Sequence, residues 1–147
     1  MSGKYYLPKN FSVQEWVPPE IYTEMGDGSI ILLDDRILRI LDAVREHFDV
    51  PVTINNWKNG GPFKQRGLRT VQVPGGALHG AHFYGRAADF DVEGQTANQV
   101  RLEILENAAL DDFALITGME MNIDWVHLDV ANRYSTFPQI VKFYRSV

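Results

Sequence analysis

His82-Phe83-Tyr84-Gly85-Arg86-Ala87-Ala88-Asp89-Phe90-Asp91-Val92 is the stretch that decides how this chain is read. His82 and Asp89 lie seven residues apart, a step that would put both on one face of an α-helix. Gly85 stands between them, and Ala87 to Val92 is apolar and strand-like. The stretch therefore reads as a loop that runs into a strand. Gly85 permits a bend or a close backbone approach. That bend lets His82 and Asp89 converge on one ion.

A second stretch downstream carries the same residue types, Asp124-Trp125-Val126-His127-Leu128-Asp129. Trp125 to Val130 reads as a strand, in which alternate residues share a face. His127, Asp129 and Trp125 then point the same way. Asp124 sits where the strand begins, and a bend there can turn it toward the same site.

Working outward, Ser12 and Glu15 have capping-box spacing for a short first element. Pro18-Pro19 ends that turn, and Gly26-Asp27-Gly28 marks a loop. Asp34 opens the clearest helix, with Ile37, Ile40, Leu41, Val44 and Phe48 at three- and four-residue steps. Its early acidic residues suit the helix dipole. Val52-Thr53-Ile54 reads as a strand. The segment from Asn55 to Ala81 is long and rich in Gly and Asn, which marks an ordered functional loop. Thr96 caps a second helix that runs to Ala109. Phe113–Thr117 is expected to be a strand, and Pro138–Val147 a short terminal helix. Helices and strands alternate without a regular βαβ pattern, so the class is α+β, with residues 1–147 forming one small domain.

Composition narrows the chemistry. The chain has 147 residues and a net charge of −5, without the clustered Lys and Arg that nucleic acid demands. No basic start followed by an apolar run is visible at the N-terminus, and no apolar run approaches a membrane span. There are no cysteines and only four histidines. A metal must therefore be held by His, Asp and Glu.

Two His, one carboxylate and an open position for water form the catalytic zinc arrangement of several hydrolases. His82, Asp89 and His127 can supply the ligands, and Asp124 the base that moves the water proton. Short His/Asp patterns also recur by chance, so packed or surface histidines remain the alternative at this point. His47 closes a helix, where the dipole accounts for it. His79 lies close to His82 and fits a supporting or substrate-side role. Asp129 is a candidate to hold the second nitrogen of a ligating histidine.

The chain resembles the M15 peptidases, the zinc D-Ala-D-Ala carboxypeptidase and phage endolysin group. That family's first motif runs Ser-x-His-x-x-Gly-x-Ala-x-Asp. Gly80 to Asp89 matches it at His82, Gly85, Ala87 and Asp89, with Gly80 in place of the Ser. The second motif sets an acidic residue three positions before the last His, as Asp124 and His127 are set. Phe11 to Trp16, the helix to Phe48 and the run Pro51 to Asn56 are similar to upstream elements of the phage-type branch.

The resemblance implies a Hedgehog/DD-peptidase-like fold, with a central, mainly antiparallel sheet packed by helices. It implies Zn2+ on His82, Asp89 and His127, with Asp124 as base. Many members place Ser-Gly-Tyr-Arg after the first strand, and that Arg binds substrate. Here Gly67-Leu68-Arg69 is the nearest equivalent, so Arg69 is the first candidate and Arg66 the second. The implied partner is the stem peptide of peptidoglycan, cut as a carboxypeptidase or an endolysin-type endopeptidase. A noncatalytic wall-binding or virion module is the alternative. A monomer is expected, with release from a host cytoplasm or association with a virion as routes to the wall.

Overall fold

The computed structural model describes residues 5–71, 80–133 and 140–144. Its sheet has five strands, β1 (Val52–Thr53), β2 (Ala87–Val92), β3 (Gly118–Met121), β4 (Val126–Asp129) and β5 (Val141–Tyr144). Their order is β1-β2-β4-β3-β5. All neighbours pair antiparallel except β3 and β5, which run parallel. Three α-helices complete the α+β fold: α1 (Pro19–Met25), α2 (Asp35–Phe48) and α3 (Ala97–Glu106).

The two long helices follow from their sequence. Asp34 caps α2, its carboxylate accepting from the Arg36 amide at 2.9 Å. Ile37, Leu38, Ile40, Leu41 and Val44 are buried along one stripe of α2, as helical periodicity requires. Asp49 closes the helix in the left-handed region at φ 54°. Thr96 and Gln99 form a reciprocal capping box for α3, an arrangement whose loss typically costs about 1 kcal/mol. α3 ends at Glu106, three residues short of the expected Ala109.

The sheet has two unlike faces. Ala88, Phe90, Val92, Met119, Val126 and Leu128 join the buried cluster that also contains the α2 and α3 stripes. The strands alternate, so Asp89, His127, Asp129 and Glu120 fall on the opposite face. All four are buried. The fold thus places helices behind the sheet and a buried polar layer in front of it.

Several local expectations are corrected. Pro19 starts α1 rather than ending a turn, which suits a residue with no amide to donate. The glycine-marked loop after it winds into 3-10 helix from Gly26 to Leu32. Phe113–Thr117 is not a strand: Asp111–Leu115 forms a 3-10 turn with Phe113 buried, and the strand begins at Gly118. The described part of the expected terminal helix is strand β5, because its backbone pairs with β3.

Candidate metal centre

Register brings the two motif segments together. Asp89 on β2 stands directly opposite His127 on β4. His127 Nδ1 lies 2.8 Å from Asp89 Oδ1, and His127 Nε2 lies 2.9 Å from Asp129 Oδ2. His82 arrives from the 3-10 turn Ala81–Tyr84, just before β2. Gly85 ends that turn at φ 66°, and a Cβ there would sit 1.9 Å from the Leu32 carbonyl oxygen. This is the close approach that only glycine tolerates. The turn can therefore lean on Leu32 and carry His82 over the sheet.

His82 is oriented by backbone. Its Nδ1 donates to the Gly67 carbonyl at 2.9 Å. Gly67 is itself pressed against the Trp16 carbonyl, where a Cβ would come within 2.4 Å. The loop is fastened by Asn55, whose Oδ1 accepts from the Arg66 amide and whose Nδ2 donates to the Val17 carbonyl. β1 is only two residues long, and the Arg66 carbonyl takes the Asp89 amide at 2.7 Å. The resemblance touched Asn55 and Gly67 only as parts of longer runs, since their roles here are contacts between distant segments.

The resulting geometry suits a cation. With Nδ1 donating to a carbonyl, a neutral His82 ring presents a lone pair at Nε2. That atom is buried and has no hydrogen-bond partner among the described residues. It lies 3.2 Å from Asp89 Oδ1. A metal ion shared by that nitrogen and that oxygen would take both as ligands. Ligand atoms of His82, Asp89 and His127 lie within 4.8 Å of one another. Two imidazoles and one carboxylate are a borderline donor set of the kind zinc accepts.

Charge is concentrated here. Burial pushes Asp89 up, yet His82 and His127 beside it outweigh burial and hold it well below the usual carboxylate range. Burial pushes His127 down, yet hydrogen bonds to Asp129 and Asp89 raise it to about 9. Burial likewise opposes ionisation of Asp129, and its bonds to His127 and Arg133 lower it to about 2. Without a metal, His127 is a clamped cation between two carboxylates.

The remaining sequence candidates divide. Arg69 reaches the cluster, its Nη2 lying 3.4 Å from Asp89 Oδ2. Arg66 does not: it pairs with Asp91 at 2.9 Å and stacks on Phe63. Trp125 lies just outside β4, with its carbonyl held by Arg101. His79 lies outside the described residues. Asp124 is exposed and lines a different depression, of about 390 Å³, with Arg101, Asn98 and Val126. No described contact joins Asp124 to His82, Asp89 or His127. Asp124 lies in the bend before β4, which starts only at Val126.

A carboxylate that sequence reading passed over occupies the expected face. Gly118 pairs with Asp129, and Met119 with Leu128. Continuing that register by one residue sets Glu120 opposite His127. Glu120 is 4% exposed. Only alternation from Gly118 could have pointed to it, and that strand was expected elsewhere.

No curated protein and no solved structure shows a significant match to this chain. The family model described as Peptidase M15 matches residues 18–129, a span that contains His82, Asp89, His127, Asp129 and Glu120. The chain belongs to the M15 peptidase family.

Proposed function

We propose that the protein is a zinc peptidase that hydrolyses a peptide bond in the stem peptides of peptidoglycan. The observation that carries this is the convergence of the buried His82 Nε2 and Asp89 Oδ1, with His127 Nδ1 beside them. Family membership supplies the peptidase reading. His82, Asp89 and His127 would hold the ion. Zinc in such a site lowers the pKa of a water and polarises the scissile carbonyl.

The chain's own residues do the rest. A carboxylate must accept the water's proton and return it to the departing amine. We assign that role to Glu120 in preference to Asp124, because Glu120 shares the sheet face with His127 and Asp89. Arg69 is the guanidinium that reaches Asp89, and it would hold a substrate carboxylate or neutralise a developing oxyanion. The long loop that begins at Trp57 and carries Arg66 and Arg69 would form one wall of the substrate cleft.

Mass spectrometry of products from purified peptidoglycan, with and without a chelator, tests the reading. New peptide termini that vanish with chelator and return with Zn2+ are expected. A zinc-loaded protein inert on every muropeptide overturns the peptidase reading and favours a noncatalytic wall-binding or virion module.

A further inference from the structure

Arg133 lies beyond the residues matched by the family and belongs to neither sequence motif. Its guanidinium nevertheless closes on Asp129 with both terminal nitrogens. Nη1 donates to Oδ1, and Nη2 donates to Oδ2 at 3.1 Å. The same carboxylate accepts from His127 Nε2 at 2.9 Å and from the Ala131 amide at 3.2 Å. Asp129 is 1% exposed. Its two oxygens are thus filled by donors from three residues, and it has no freedom to follow a moving imidazole.

A second contact runs through an aromatic ring. The Arg133 guanidinium carbon lies 5.0 Å from the centroid of the Phe143 ring. Phe143 in turn meets the His127 ring edge-on at 5.6 Å. Arg133 therefore bears on His127 from two directions, through a carboxylate and through a ring. Gly118 leaves the room for this. A Cβ at Gly118 would lie 2.4 Å from Arg133 Nη1 and 2.5 Å from Asp129 Oδ1. A planar fork on a carboxylate is also more directional than a single ammonium contact.

We infer that Arg133 is a positioning residue for the metal centre: through Asp129 and Phe143, over the bare backbone of Gly118, it holds His127 with Nδ1 turned toward Asp89. This rests on the metal reading above. Groups that support a ligating histidine typically change metal affinity 10–100-fold when removed.

The test measures Zn2+ affinity by chelator competition and the visible spectrum of the Co2+-loaded protein. Wild type, Arg133→Gln, Arg133→Lys and Gly118→Ala are compared, with circular dichroism of each metal-free protein as the control for folding. Arg133→Gln is expected to weaken Zn2+ binding about 10–100-fold and to alter the Co2+ spectrum. Arg133→Lys keeps the charge but loses the fork, and should fall between. Gly118→Ala should resemble Arg133→Gln, because it drives the same two groups apart. If Arg133→Gln does not fold, the Lys and Gly118→Ala variants carry the comparison. Wild-type affinity and an unchanged Co2+ spectrum in the folded variants overturn the role of Arg133 and leave the metal reading standing. A wild-type protein that takes up neither Zn2+ nor Co2+ overturns both.

Discussion

Asp89 and His127 face each other across β2 and β4, and their side chains meet at 2.8 Å. They are 38 residues apart in the chain. Both are buried on the sheet face opposite the apolar core. The pair is the centre around which His82, Asp129 and Arg69 are arranged.

Removing one ligand should empty the site. His82→Ala and His127→Ala each leave two donors where three converge. Metal analysis after dialysis should find close to one zinc per chain in wild type and almost none in either variant. Full zinc retention in His127→Ala would remove His127 from the ligand set.

The two carboxylates are separable. Glu120→Gln should keep its zinc and lose about 10²–10³-fold in turnover, within the range a general base contributes. Asp124→Asn, in its exposed depression, should stay within a few-fold of wild type. The reverse result in muropeptide assays would return the base to Asp124.

Gly67→Ala forces a Cβ to within 2.4 Å of the Trp16 carbonyl oxygen. Backbone cannot yield as a side-chain tip can, so the loop must shift and carry its carbonyl away from His82 Nδ1. A stability loss of about 1–3 kcal/mol is expected in urea titration, together with weaker zinc binding. Unchanged values on both would show that the loop is soft.

The metal-free protein should lose stability in mild alkali. His127 is raised to about 9 from an ordinary 6.5. Its contribution is full below pH 6.5 and disappears as pH rises through 9, on the order of 3 kcal/mol. Melting temperatures of the metal-free protein should therefore fall across that window. The slope should vanish in His127→Gln. Asp129 acts oppositely, losing its contribution as pH falls from about 3.8 toward 2.

Asp42 pins the N-terminal segment to α2. Its carboxylate accepts from Tyr6 Oη at 2.6 Å, the Lys9 amide at 2.8 Å and the Asn10 amide at 3.0 Å. It is 2% exposed. Asp42→Ala leaves those donors unpaired and should cost about 2–4 kcal/mol. A change in midpoint smaller than 0.5 kcal/mol would show that water replaces the carboxylate.

Asp42 also illustrates what was hard to read. In sequence it belongs to the polar side of α2, yet residues 6 to 10 fold back and bury it. Glu120 is a similar case. Gly118-Met119-Glu120-Met121 has little β propensity, and it is a strand because Gly118 makes room for Asp129 and Arg133 while Met119 fills the core. Phe113 looked like the better strand residue, but it is consumed by packing against α2 in a 3-10 turn. The α2 stripe, the capping residues Asp34 and Thr96, and strand β2 were legible because their signals are local.

Sequence alone determined the ingredients of the centre. A chain without cysteine has only imidazoles and carboxylates to offer a metal, and the spacing around Gly85 and along β4 singled out His82, Asp89, His127 and Asp129. The side chains of Asp89, His127 and Asp129 follow from strand alternation, which two residues of chain suffice to specify. Tertiary structure decided which other groups meet them. Arg69 rather than Arg66 on Asp89, Glu120 on the sheet face of His127, and Arg133 behind Asp129 follow from strand register and loop docking. Those depend on contacts between residues far apart in the chain, and no local pattern encodes them.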